Sequence, residues 1–234
     1  MKTESPGKIE TALFAVGFAM SGLVLLALLW SGVSVYVDIA RTNGVTRATF
    51  YDHAIGTNSV ELSLDALAEQ HRTWSVYITG GAADPPDFGT LYTADEISHM
   101  ADVRRVFDGA KLLIPAGLFV MAIRLQRARS HSVEAMLRLV RDGAIAAGIA
   151  LAAVGIVAAF AFEQAFLLFH EVFFPQGNFL FDPTTSNLVR LYPDWYWEGI
   201  TFRIGLSFIA VAATVAFAAG VGLSRARSTR LATE

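Results

Sequence analysis

The chain has 234 residues, 54% of them hydrophobic and 17% charged, with a formal charge of −3 and no cysteine. Soluble domains carry about 25% charged residues, so this composition points to a membrane protein. The absence of thiols excludes a disulfide framework, a thiolate nucleophile and a cysteine-held zinc or iron–sulfur centre, and the small net charge gives no basis for nucleic-acid binding.

A bilayer core of about 30 Å takes about 20 helical residues. Residues 1–11 form a short N-terminus with Lys2 and Lys8. Residues 12–37 carry no charge and are leucine-rich at the centre (Leu23, Leu25, Leu26, Leu28, Leu29), which predicts a first transmembrane helix. The stretch is too long for a signal-peptide core and no small-x-small cleavage site follows it, so it reads as an anchor.

Residues 38–105 form the first of two long connecting segments. Through Asp108 it holds eleven carboxylates against five arginines, an acidic balance that suits the outside of the membrane. Ser63 followed by Leu64, Leu67 and Trp74 predicts a helix to Ile78, residues 80–89 form a breaker-rich loop, and residues 45–51 read as a strand. The expectation is a small mixed subdomain. At its end, Thr93 and Glu96 form a capping box that starts a helix running into the next span.

The second span, 106–125, is strictly apolar only over residues 112–123 and admits Asp108, Lys111 and Arg124. Orientation decides for it. Arg124, Arg127, Arg129, Arg138 and Arg141 in or beside the loop 126–142, Arg225, Arg227 and Arg230 in the tail 224–234, and the two N-terminal lysines share one side only if 106–125 crosses. Residues 143–163 and 201–223 are the third and fourth spans, joined by an aromatic-rich segment, 164–200. The predicted fold is thus an α-helical membrane protein with four transmembrane helices, both termini cytoplasmic, and a small mixed extracytoplasmic subdomain.

Two histidines fall near one interfacial level in this topology. His99 precedes the second span, with Glu96 and Asp102 at helical spacing i−3 and i+3. His170 follows the third span, seven residues after Glu163 and beside Glu171, among phenylalanines. From spacing alone a solvated amphipathic face is the better account of the first cluster, and an interfacial aromatic belt explains Trp195, Tyr196 and Trp197. An aromatic belt does not explain a His–Glu pair between Phe169 and Phe173, and ionisable groups near the apolar region are functional candidates. Two imidazoles at a lipid–water boundary can supply a general base and a general acid. His53 and His71 read as surface or packing residues, and His131 as a loop residue.

The segments from Glu96 to Val103 (ExxHMxDV) and from Phe169 to Phe174 (FHxxFF), followed by FDP at 181–183 and LVRLYPDWYW at 188–197, resemble the bacterial lipoprotein intramolecular transacylase family. The likeness extends over about Leu62 to Gly205. It departs from the family pattern at Asn187, where an acidic residue is common, and near Phe179 or Leu180, where a Trp is common. The resemblance implies an acyltransferase of the bacterial cytoplasmic membrane that acts on diacylglyceryl-modified lipoproteins. It would move the sn-2 acyl chain to the α-amino group of the same N-terminal cysteine, giving the lyso form. His99 and His170 would be its catalytic residues, with no cofactor or metal and the active site facing outside. In supporting roles, Asp102 or Glu171 would orient an imidazole, Arg190 or Asn187 would stabilise an oxyanion, and Glu96 would stand beside them. The expected unit is a monomer in contact with membrane lipids.

Two other readings fit parts of the pattern. A metal-dependent membrane hydrolase could draw ligands from Glu96, His99, Asp102, His170 and Glu171, although no HExxH is present. A membrane accessory subunit without catalytic activity would place charges within its spans, where Asp108 and Lys111 are the candidates.

Overall fold

The computed structural model of the chain describes residues 7–231, so Lys2 of the basic N-terminus and residues 232–234 of the tail lie outside the described residues. Four helical stretches among them are long and apolar enough to cross a membrane, within Lys8–Trp30, Ala94–His131, Val133–Phe160 and Asp194–Thr229. They correspond to helices α1 (Lys8–Trp30), α4 with α5 (Ala94–Lys111 and Leu113–His131), α6 (Val133–Phe160) and α9 (Asp194–Leu231). The remaining elements are α2 (Val33–Thr42), β1 (Arg47–Asp52), β2 (Thr57–Ser63), α3 (Leu64–Ile78), α7 (Phe162–Phe173) and α8 (Asn187–Leu191).

Helix boundaries differ from the apolar runs for local reasons. The run 12–37 is two helices, because Gly32 takes an extended backbone (φ −78°, ψ 156°) and starts α2. Helices α4 and α5 are separated at Leu112. Pro115, at the third position of α5, lacks the N–H that would bond the Lys111 carbonyl, and its ring crowds that group. The third span, expected over 143–163, breaks at Ala161 (φ −139°), and the helix resumes as α7. Helix α9 begins at Asp194, a full turn and more before residue 201.

The chain forms two compact units. One contains α1 up to Leu26, residues Lys111–Phe160, and α9 from Ile204. Its helices approach through glycine. A Cβ on Gly117 would stand 2.2 Å from the Ser21 Oγ and 2.5 Å from the Gly17 carbonyl oxygen, and one on Gly143 would stand 2.4 Å from the Phe14 ring. Small residues let transmembrane backbones pack closely where water cannot drive association. The Ser21 hydroxyl donates to the Ile114 carbonyl at 3.2 Å, and Ala15, Ala147, Phe208 and Ala212 form the buried centre. Arg124, a charge admitted into the second apolar span, is held by the Glu10 carboxylate at 3.0 and 3.1 Å, with Arg127 at 3.4 Å.

The other unit contains residues Ala27–Ala110 and Ala161–Arg203. The strand expected at 45–51 is β1, paired antiparallel with β2, with a register irregularity beside the buried Phe50. Ser63 caps α3, its Oγ accepting from the Ala66 N–H at 3.3 Å. His71 is one of this unit's packing residues. It stacks on Tyr36 with ring centroids 4.6 Å apart, pairs with the Tyr192 hydroxyl at 3.2 Å, and donates to the Ser31 carbonyl at 3.1 Å.

Replacing Gly117 with leucine is expected to force α1 and α5 apart and to cost about 1–3 kcal/mol or more, as overpacking does. Thermal unfolding in detergent checks it against Gly155→Leu, where no atom lies within 4 Å of the added Cβ and the melting temperature should hold.

Candidate active site

The site is built on α4. Thr93 and Glu96 form the expected capping box: the Glu96 Oε2 accepts from the Thr93 N–H at 2.8 Å, and the Thr93 Oγ1 accepts from the Glu96 N–H at 3.2 Å. Glu96 is almost wholly buried, and its other oxygen accepts from the Ser186 hydroxyl at 2.6 Å and the Leu188 N–H at 2.8 Å. The carboxylate therefore ties the start of α4 to the start of α8. One turn on, α4 presents His99.

His99 and His170 come together. Their rings are nearly parallel (18°) with centroids 6.0 Å apart, and they are only 6% and 9% exposed. Phenylalanines enclose them: Phe174 and Phe181 lie 4.7 and 5.6 Å from His99, and Phe166, Phe169, Phe174 and Phe179 lie 4.2 to 5.5 Å from His170. Phe166, Phe169 and His170 share α7 because positions three and four apart are neighbours on a helix. Gly177, at φ +77°, makes the turn that brings residues 178–181 back over the rings.

Burial in this apolar cage disfavours the imidazolium. It lowers His99, which precedes the apolar span, to about 4, with the neighbouring His170 adding to the effect and Asn178 opposing it. His170 is also lowered by burial, partly offset by its bond to the Phe166 carbonyl. That bond, at 2.8 Å, places the proton of neutral His170 on Nδ1 and leaves Nε2 as the free lone pair. The Nδ1 of His99 has no hydrogen-bond partner. Burial thus favours the uncharged form of both rings, and neither the Nδ1 of His99 nor the Nε2 of His170 is engaged in a hydrogen bond.

The other candidate residues lie as follows. Asp102 is buried on the same face of α4, but its carboxylate meets Arg105, Gln176 and Asn178 rather than an imidazole. Glu171 is exposed on α7. Asn187 is fully buried and bonds backbone only, accepting from the Tyr51 N–H at 2.7 Å and donating to the carbonyls of Tyr51 and Leu91 at 2.8 and 2.6 Å. Arg190 donates to the carbonyls of Thr49, at 2.8 Å, and Thr184. Both residues hold the hairpin and loops in place through the Asn187 amide and the Arg190 Nη1 and Nη2. No three His, Asp or Glu side chains gather in a metal-holding group among the described residues. A cavity of about 220 Å³ lined by Pro85, Phe88, Tyr92 and Ile97 contains neither histidine. The sequence reading missed Gln176 and Asn178, whose only signal was a polar pair flanking a glycine inside an apolar run.

The sequence pattern of the family described as lipoprotein intramolecular transacylase Lit matches residues 18–197. Among solved structures, the membrane integral lipoprotein intramolecular transacylase Lit from Bacillus cereus shares the fold with a TM-score of 0.69, at 18% identity over 95% of this chain and 97% of that one. Two versions of the same Bacillus cereus protein, with a histidine changed to arginine or to alanine, each give a TM-score of 0.67 at 16% identity. They cover 95% and 94% of this chain, and 94% and 95% of theirs. None of the curated proteins matches the chain.

The buried neutral histidines set a pH dependence of stability. The folded-state values of His71 and His99 are lowered to about 4, and that of His170 is lowered as well, whereas an unfolded histidine titrates at about 6.5. The unfolded chain therefore binds more protons below about 6.5, so stability is level above that pH and falls as the pH drops toward 4. Thermal melts from pH 7.5 to 4 should show the decline beginning near 6.5, before carboxylates contribute.

Proposed function

Since the chain belongs to the lipoprotein intramolecular transacylase family, we propose that it converts diacylglyceryl lipoproteins to their lyso form by O-to-N acyl transfer within one substrate molecule. The nitrogen of the N-terminal cysteine attacks the sn-2 ester carbonyl, the new C–N bond forms, the C–O bond to glycerol breaks, and a proton passes from nitrogen to the glyceryl oxygen. The observation that carries this reading is the pair of nearly parallel, buried imidazoles 6.0 Å apart.

The chemistry asks little else of the protein. Nucleophile and ester are tethered in one molecule, which supplies much of the proximity advantage. An α-amine titrates near 8, so the reacting fraction is the free amine, and a neutral imidazole removes the second proton as attack proceeds. Burial disfavours an imidazolium at either ring in the resting site. The proton given to the leaving oxygen is the one just taken from the amine. His170 Nε2, with its tautomer fixed by the Phe166 carbonyl, suits the role of base, and His99 suits the second proton transfer. The phenylalanine cage disfavours water, which would otherwise hydrolyse the ester. Because one chain carries both histidines, the site is complete in a monomer.

His99→Ala and His170→Ala are each expected to lower lyso-lipoprotein formation at least about a hundredfold, with the double variant barely worse, because groups acting as a unit are not additive. His53→Ala and His131→Ala should be nearly silent. Mass spectrometry of N-terminal lipopeptides reads the outcome, and full activity in either of the first two variants would overturn the two-imidazole mechanism.

The chain is membrane-integral, and we place it in the bacterial cytoplasmic membrane with both termini inside and both histidines toward the outer face. The support is the concentration of arginine in 124–141 and after 223. Single cysteines introduced at Pro85 and at His131 should be labelled by an impermeant maleimide on intact spheroplasts at the first position only. Labelling at both would remove this orientation.

A further inference from the structure

We infer that Asp102 is a positioning residue whose carboxylate latches residues 174–181 over His99 and His170, and that this latch keeps water from the ester, making the reaction a transfer rather than a hydrolysis. The inference rests on the acyl-transfer reading above and names the contact that guards it.

Glu96 and Asp102 stand three residues before and three after His99 on α4, and are only 1% and 6% exposed. Glu96 holds Ser186 and Leu188. Asp102 holds the earlier part of the same segment: its Oδ2 accepts from the Asn178 Nδ2 at 2.6 Å and from the Gln176 Nε2, while its Oδ1 meets the exposed Arg105. The Gln176 Nε2 also donates to the Asn178 Oδ1 at 3.1 Å, which closes a triangle of two amides and one carboxylate. The segment is thus pinned to α4 on both sides of His99. Between the pins lie Phe179, 5.2 Å from the His170 ring, and Phe181, 5.6 Å from the His99 ring. Phe174, just before them, lies against both rings at 5.4 and 4.7 Å.

The backbone bonds here are local, from the Gly177 N–H to the Phe174 carbonyl at 3.0 Å and from the Phe181 N–H to the Phe179 carbonyl at 3.1 Å. The reach across to α4 is made by the two amides. Pro175, Gln176, Gly177 and Leu180 are exposed, so one thickness of chain covers the imidazoles on this side. A buried carboxylate is costly without donors, and it only accepts, so the Asp102 charge draws the segment in. An amide at 102 offers one acceptor oxygen in place of two and cannot hold all three donors.

Amine and water compete for one sn-2 carbonyl. When water attacks, its oxygen bonds the acyl carbon and the C–O bond to glycerol breaks. One water proton goes to the glyceryl oxygen and the other stays on the released fatty acid. Transfer leaves the mass of the lipopeptide unchanged, whereas hydrolysis removes one acyl chain, so the two outcomes are counted separately.

The test uses the full-length protein in micelles with a synthetic diacylglyceryl lipopeptide, and mass spectrometry of N-acylated product and free fatty acid. Asp102→Asn should raise the ratio of fatty acid to transfer product at least about tenfold, the size expected for losing a hydrogen bond to a charged group. A second reading needs no turnover: diethyl pyrocarbonate should modify His99 and His170 at least about tenfold faster in this variant, with the exposed His131 unchanged. A loss of both products at an unchanged ratio is what a merely structural role would give, and it overturns the inference. Unchanged modification rates at His99 and His170 overturn it as well. If Asp102→Asn does not fold, Asn178→Ala, at a half-buried loop position, carries the test with the same two readings. A wild type that forms no N-acylated product counts against the acyl-transfer reading instead, while the modification rates still decide whether Asp102 holds the cover in place.

Discussion

The buried Glu96 carboxylate is the interaction on which the site depends. Four hydrogen bonds converge on its two oxygens, from the Thr93 backbone and hydroxyl, the Ser186 hydroxyl and the Leu188 N–H. The first two start α4, and the last two start α8, ninety residues later in the chain. A buried carboxylate is costly unless its lone pairs are satisfied, so these contacts form together or not at all. Their joint effect is to fix the helix that carries His99 against the loop that carries Phe179, Phe181 and Asn178. Asn187, next in sequence to Ser186, secures the same junction to the hairpin through three backbone bonds.

Around that anchor the site gains its chemistry from what it excludes. The two imidazoles are not activated by a carboxylate in direct contact. An apolar enclosure makes them poor proton holders, and His170 is oriented by the Phe166 carbonyl. On the acyl-transfer reading proposed above, a reaction that begins and ends with neutral groups has little use for a resident charge. The carboxylates of the region are accordingly committed elsewhere, Glu96 to backbone and hydroxyl donors and Asp102 to amides and Arg105.

Much of this was legible in the sequence. The capping box at Thr93 and Glu96, the Ser63 cap, four apolar spans and the pairing of His99 with His170 all follow from residue type and spacing. Helix breaks within apolar runs were not legible, because hydropathy continues across Gly32, Leu112 and Ala161 while the backbone turns aside. The roles of Asn187 and Arg190 were also hidden. Each is a polar residue in an aromatic segment, and only the folded chain reveals that its partners are backbone groups as many as 136 and 141 residues away. Gln176 and Asn178 escaped notice because an uncharged amide gives no signal until a buried acceptor faces it.

The break at Ser31 and Gly32 bears on how the protein suits its bilayer. An unbroken helix over the run 12–37 would be about 39 Å long, which a hydrocarbon layer of about 30 Å accommodates only by a tilt of about 40° or by local thickening. Ending α1 at Trp30 leaves an apolar length from Ala12 of about 28 Å, close to a match with the helix upright. The seven residues removed from the spanning helix are not lost to the fold, since they supply Tyr36 to the His71 stack and their Ser31 carbonyl accepts from both His71 and Ser75. The extended backbone at Gly32 thus sets the length of apolar helix that the first span offers to the membrane.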